Sequence, residues 1–143
     1  MSNPQAILDE LMERRPDLKG LANAIWLAYL ATQAAYAAGS KLLLCGNGGS
    51  ASDAEHIAGE LMKGFLKKRP LDGALRERLI EIGGPEGEKI GCMLQQGMPA
   101  ISLVSQTALA TAVINDISGD MIFAQQVNAL GRSGDVLWAL STS

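Results

Sequence analysis

Basic charge, cysteine and histidine are all scarce in this chain of 143 residues, and each scarcity closes off a class of function. Twelve Lys and Arg stand against fifteen Asp and Glu, a net charge of −3. General nucleic-acid binding needs a basic footprint, so no nucleic-acid partner is expected. The clusters Arg14-Arg15 and Lys67-Lys68-Arg69 are short runs of the kind that face solvent. Two cysteines, Cys45 and Cys92, make neither a metal spacing nor a disulfide framework, and Cys45, ending an apolar run, reads as a small buried residue. Charged residues are only 19% and apolar residues 48%, which excludes a disordered chain and allows a sizeable core. The N-terminal segment carries Asp9, Glu10 and Glu13 where a signal peptide would place basic residues and then an apolar run, so a cytoplasmic protein is expected.

Residues 21–40 lack charge altogether, and about 20 apolar residues suffice to span a bilayer. The stretch is rich in alanine, however, which contributes little to insertion, and it holds Asn23, Thr32 and Gln33. It reads instead as a helix covered on all sides by a core or by other subunits. No membrane association is expected.

Along the chain, residues 4–15 predict a short amphipathic helix from Ile7, Leu8, Leu11 and Met12, interrupted at Pro16. A second helix is predicted over 18–38, with Asp17 placed to cap it and Gly39 to end it. The run 41–45 ends at glycine, as a buried parallel strand does. A helix is predicted over 51–65, its apolar face made by Ala54, Ile57, Ala58 and Leu61, with Ser50 or Ser52 as its cap. Residues 66–98 are charged and glycine-rich; 71–82 predict a helix, the remainder a loop. The stretch reads as an excursion from one domain spanning 1–143. Further strands are predicted over 99–104 and 135–140, a short helix or turn over 108–113, and a helix over 121–130. Strands alternating with helices predict an α/β fold with a parallel sheet sandwiched by helices. Three strands are few for such a sheet, which implies truncation after the third or completion in another way.

The strongest local signal is Cys45-Gly46-Asn47-Gly48-Gly49-Ser50 between a strand and a helix. Glycines let the backbone turn tightly and approach a ligand, and a helix N-terminus offers N–H groups to an anion. A nucleotide P-loop would need a lysine, which is absent. A dinucleotide fingerprint is formally matched by Gly46-x-Gly48-x-x-Ala51, but the next strand begins only near Pro99, so no nucleotide cofactor is expected. A plain strand-to-helix turn stays open. Ser141-Thr142-Ser143 follows a strand, where ligands of open α/β sheets bind; a polar loop start would look the same. His56 and Glu60, at i, i+4, share one helix face. They could hold a metal, set a carboxylate base beside an imidazole, or be an ordinary surface pair.

Taken together, Cys45 to Ser50, Asp53-Ala54, His56 and Glu60-Leu61 resemble the signature of phosphoheptose isomerases of the sugar isomerase (SIS) family. Asn115-Asp116, the run Gly131-Arg132-x-Gly134-Asp135-Val136-Leu137, and Ser141-Thr142-Ser143 match further blocks in the same order. The resemblance implies a flavodoxin-like three-layer fold, a homotetramer, and isomerisation of sedoheptulose 7-phosphate through an enediol. It assigns Asn47, Gly48, Gly49, Ser50, Ser141, Thr142 and Ser143 to the sugar phosphate, and Asn115 and Asp116 to the sugar. Glu60 becomes the proton-transferring base, and His56 with Glu60 a pair that helps bind zinc in those members that carry it. The family motif continues with Gly-Asn-Ser, absent here, and the family's second catalytic histidine would lie beyond residue 143. Non-catalytic regulatory members of the family, or an inactive fragment of the enzyme, are the alternatives.

Overall fold

The computed structural model describes residues 3–142. The three predicted strands form one parallel sheet: β1 (Leu42–Gly46), β2 (Ala100–Ser102) and β3 (Val136–Leu140), in the order β2-β1-β3. The register pairs Leu42 with both Ala100 and Val136, and Gly46 with Leu140. Because β1 is central, its leucines alternate into two cores. Leu42 and Leu44 face α3 (Gly49–Met62), packing with Ala54, Ala58 and Ala100. Leu43 and Cys45 face the other way, against Leu103, Phe123 and Val127. Phe123 and Val127 belong to α6 (Ile122–Leu130). Helices therefore cover both faces, which gives the three layers expected. Leu42, Leu43 and Leu44 are all at most 2% exposed; burying such a side chain contributes about 1.5–3 kcal/mol.

Two crossovers connect the strands. The second runs through α5 (Thr107–Asp116), a short 3-10 turn at Gly119–Met121, and α6. The buried amide of Gln126 in α6 donates to the carbonyl of Leu103 at 2.8 Å, which ties this layer to the end of β2. The first crossover contains α3 and the excursion. At the N-terminus, α1 (Pro4–Arg14) is capped by the side chain of Asn3, and α2 (Ala22–Ala37) lies against β3.

Several local expectations need correction. Asp17 does not cap the second helix: a 3-10 segment, Pro16–Leu21, precedes α2, and the Asp17 carboxylate accepts instead from the Arg15 guanidinium at 2.7 and 3.0 Å. Neither Ser50 nor Ser52 caps α3, whose N-cap is Gly48. Residues 83–93 are not loop. Together with the predicted helix they form α4 (Gly73–Met93), which is capped by Asp72 and folds back on itself at Gly84, where φ is 53°. Gly87 and Gly91, one turn apart, are the reason. A Cβ on Gly87 would collide with the Leu79 carbonyl, and one on Gly91 would press on Arg76, so the two arms lie backbone to backbone. Glycine density, which reads as loop, here marks close packing.

A partly buried ion pair closes the lower end of the sheet. Lys41 Nζ meets Asp135 at 2.5 Å, and the same carboxylate accepts from the backbone N–H of Lys41 and of Arg132. The hydrogen bonds from Lys41, side chain first and then backbone, hold the Asp135 carboxyl down at about 2, from an ordinary 3.8. A depressed folded-state value means that the group stabilises the fold fully above its unfolded value and stops doing so as pH falls through the folded one. Thermal melts of Asp135→Asn and the parent should therefore differ most above pH 4 and converge as pH approaches about 2. Leu44→Ala, at a fully buried site, should cost about 2–5 kcal/mol in urea denaturation.

Candidate active site

Parallel strands leave their C-terminal ends without a following hairpin, and a crevice opens where neighbouring strands send their chains to opposite sides. Here the chain leaves β1 toward β2, and the space beyond the C-terminal ends of β1 and β3 is left open. A cavity of about 260 Å³ occupies it, lined by Cys45, Gly46, Asn47, Ser50, Phe123, Ala139, Leu140, Ser141 and Thr142. The glycine loop and the hydroxyl run, nearly a hundred residues apart, are thus brought together by the pairing of Gly46 with Leu140.

The loop's shape follows from its glycines. A Cβ on Gly46 would stand 2.7 Å from the Ser50 carbonyl oxygen and 2.8 Å from its carbon, so the first turn of α3 sits directly on this residue. Gly48 adopts φ 55° and ψ −123°, a conformation open essentially to glycine alone. The N–H groups of Ser50 and Ala51 close onto the carbonyls of Asn47 and Gly48 at 3.1 Å each. Ser50 is buried at the start of α3, pointing its helix end at the cavity. Among the described residues no Lys or Arg lines the space. An anion there would be held by backbone N–H groups, hydroxyls and the helix dipole rather than by a cationic side chain. The buried Cys45 thiol is pushed up by its desolvation and remains a neutral wall.

The other expected residues lie elsewhere. Asn115 and Asp116 form the exposed end of α5, where the Asn115 amide donates to the Asp116 carboxylate at 2.9 Å. They do not line the cavity, although Phe123, close after them in the chain, does. His56 is exposed and Glu60 half-buried on α3. Ten residues of helix separate Ser50 from Glu60, about 15 Å at the usual rise. Glu60 lines a second cleft of about 300 Å³ with Gly64, Phe65, Leu66, Lys67 and Arg69. Among the described residues no group of three or more His, Cys, Asp or Glu could hold a metal ion. A catalytic zinc takes three protein ligands, so zinc at His56 and Glu60 would need ligands from elsewhere. Ser143 lies outside the described residues.

Residue-by-residue reading missed Gly46, Cys45 and Phe123 as lining groups. Gly46 and Cys45 stand inside the glycine motif. Phe123 carries no local signal, because only the packing of α6 brings it over the crevice. Gly46→Ala should weaken binding of inorganic phosphate at least about tenfold in calorimetry, because the start of α3 must move. Gly20→Ala, where a Cβ meets nothing within 4 Å, should leave it unchanged.

No family model matches the chain. Curated phosphoheptose isomerases do. That of Synechocystis sp. is 40% identical over 108 residues, covering 76% of this chain and 42% of that protein. That of Halorhodospira halophila is 34% identical over 139 residues, covering 97% of this chain and 57% of that protein. The solved phosphoheptose isomerase of Neisseria gonorrhoeae superposes with a TM-score of 0.64 at 29% identity, over 97% of this chain and 59% of the other. That of Francisella tularensis gives 0.64 at 29% identity, over 99% and 63%. The chain spans about half the length of the curated relatives it matches. Over the span it shares with them, the chain is a homologue of the phosphoheptose isomerases in both sequence and fold.

Proposed function

We propose that this chain binds a phosphorylated sugar and serves as a phosphoheptose isomerase, interconverting sedoheptulose 7-phosphate and an aldoheptose 7-phosphate. The observation that carries the reading is the crevice between β1 and β3, where Asn47, Ser50, Ser141 and Thr142 converge at a helix N-terminus. Gly48, Gly49 and Ser143 complete the phosphate loops in this reading. Asn115 and Asp116, at the end of α5, contact the sugar.

The chemistry is a proton transfer. The ketose loses a proton from C1 to a carboxylate base and the electron pair forms the C1–C2 double bond of an enediol as the carbonyl oxygen at C2 takes up a proton. Return of the carbon-bound proton to C2, with loss of the hydroxyl proton from O1, leaves the aldehyde at C1. The base assigned is Glu60. Anchoring the remote phosphate supplies binding energy that orients the reacting carbons. We also propose a homo-oligomer, a tetramer by resemblance. What supports it is α2: it has no charge, its single buried residue is Ala35, and Leu27 is 55% exposed. Beside it, an apolar groove of about 860 Å³ runs between Tyr29, Tyr36 and Trp138. In an oligomer, Glu60, displaced along α3 from its own phosphate cradle, can serve the cradle of a second copy. No helix among the described residues is long and apolar enough to cross a membrane. A cytoplasmic setting fits the two free cysteines.

Proton NMR of sedoheptulose 7-phosphate with the protein in deuterated water tests the reading. Exchange at C1 with a growing aldose signal is the expected result, and Glu60→Gln should lower the rate about 10²–10⁴-fold. Broadening of the sugar signals without exchange would replace the enzyme by a binding module. Light scattering should return a multimer; a monomer mass would overturn the assembly.

A further inference from the structure

Resting on the reading of Glu60 as the base, we propose that Arg69 is a positioning residue, which fixes the turn of α3 that carries Glu60 and makes the excursion the support of that turn. The last turn of any helix leaves carbonyls without intrahelical partners. In α3 these include Glu60 and Leu61, because the helix ends at Met62. Arg69 Nη2 donates to the Leu61 carbonyl at 2.5 Å and reaches the Glu60 carbonyl at 3.4 Å. Its Nε donates to the Gln96 carbonyl at 2.9 Å. The backbone repeats the link: Gln96 N–H donates to Arg69 at 2.7 Å, Met98 N–H to Leu61 at 2.9 Å, and Pro70 bridges to Gln95. One guanidinium therefore clamps three segments, namely the end of α3, the outgoing chain of the excursion and its return.

Only arginine fits this arrangement. A planar fork with several fixed donors spans two carbonyl acceptors, whereas a lysine ammonium is a single point. The positive charge also sits favourably at a helix C-terminus. The surroundings make the clamp specific to Glu60. Arg69 and Glu60 line one cleft, while α4 makes no extensive contact with another element among the described residues. The excursion thus meets the domain chiefly at the turn bearing the base. The phosphate cradle lies at the other end of α3, so loss of the clamp moves the base without moving the phosphate.

The test is steady-state isomerisation of sedoheptulose 7-phosphate by the parent, Arg69→Gln and Arg69→Lys, with calorimetric titration of inorganic phosphate into each. The expected result is a kcat about 10–100-fold lower in both variants, since small displacements of a catalytic group cost on that order. KM, phosphate affinity and phosphate stoichiometry should stay at parent values. Should Arg69→Gln fail to fold, shown by lost phosphate stoichiometry, Arg69→Lys decides. Parent-level kcat in Arg69→Lys would reduce the role to charge and overturn the clamp. Loss of phosphate affinity in Arg69→Lys alongside kcat would overturn it as well, by showing a general structural role. A parent that binds phosphate but does not isomerise the sugar removes the reading of Glu60 as base, and this inference with it.

Discussion

Everything in this fold hangs from β1, a strand buried on both faces. Leu42 and Leu44 anchor the layer of α3, Leu43 and Cys45 the layer of α6, and both neighbouring strands pair with Leu42, Leu43 and Leu44. A parallel strand in this position must end by sending its chain to one side. Its C-terminal end therefore faces an open crevice, bounded by the neighbouring strand β3. The crevice lined by Asn47, Ser50, Ser141 and Thr142 is a consequence of that topology. Gly46 is simultaneously the last residue of the strand and the floor on which Ser50 and the helix start rest.

The same dependence decides which groups the crevice offers. With no cationic side chain lining it among the described residues, an anion there would meet groups whose positions the backbone sets: N–H donors, a helix dipole and hydroxyls at strand ends. Such groups are pre-organised, and they lose their function when the backbone shifts. That makes the glycines as consequential as any polar residue. The far end of α3 is organised differently. Glu60 sits half-buried there, on a turn whose Leu61 and Glu60 carbonyls accept from the Arg69 guanidinium of the excursion. One helix thus runs from the crevice between β1 and β3 to the contact with the excursion.

Legibility in the sequence followed the range of the forces involved. The strand 41–45, the glycine turn and the helix after it were readable, since apolar runs and turn chemistry act over a few residues. The excursion is legible only in part: Gly83, Gly84, Gly87 and Gly91 look like loop by composition, while Gly84 makes the reversal and Gly87 and Gly91 let two helical arms touch. Asp17 looked like a cap and bonds Arg15 instead, because two oppositely charged neighbours meet before the helix begins. Asn115 and Asp116 stand apart from the cradle, as residues at the end of a crossover helix.

By itself the sequence determined the α/β alternation, the glycine turn between strand and helix, the net negative charge and the family resemblance, all of which rest on composition, local pattern or ordered motifs. Only the tertiary structure decided that Leu140, Ser141 and Thr142 meet Gly46 and Asn47, that Phe123 closes over them, and that Arg69 grips the turn bearing Glu60. Those facts depend on strand order, on register and on where an excursion returns. Such features are fixed by burial and hydrogen bonding between distant segments, for which no short stretch of residues carries a mark.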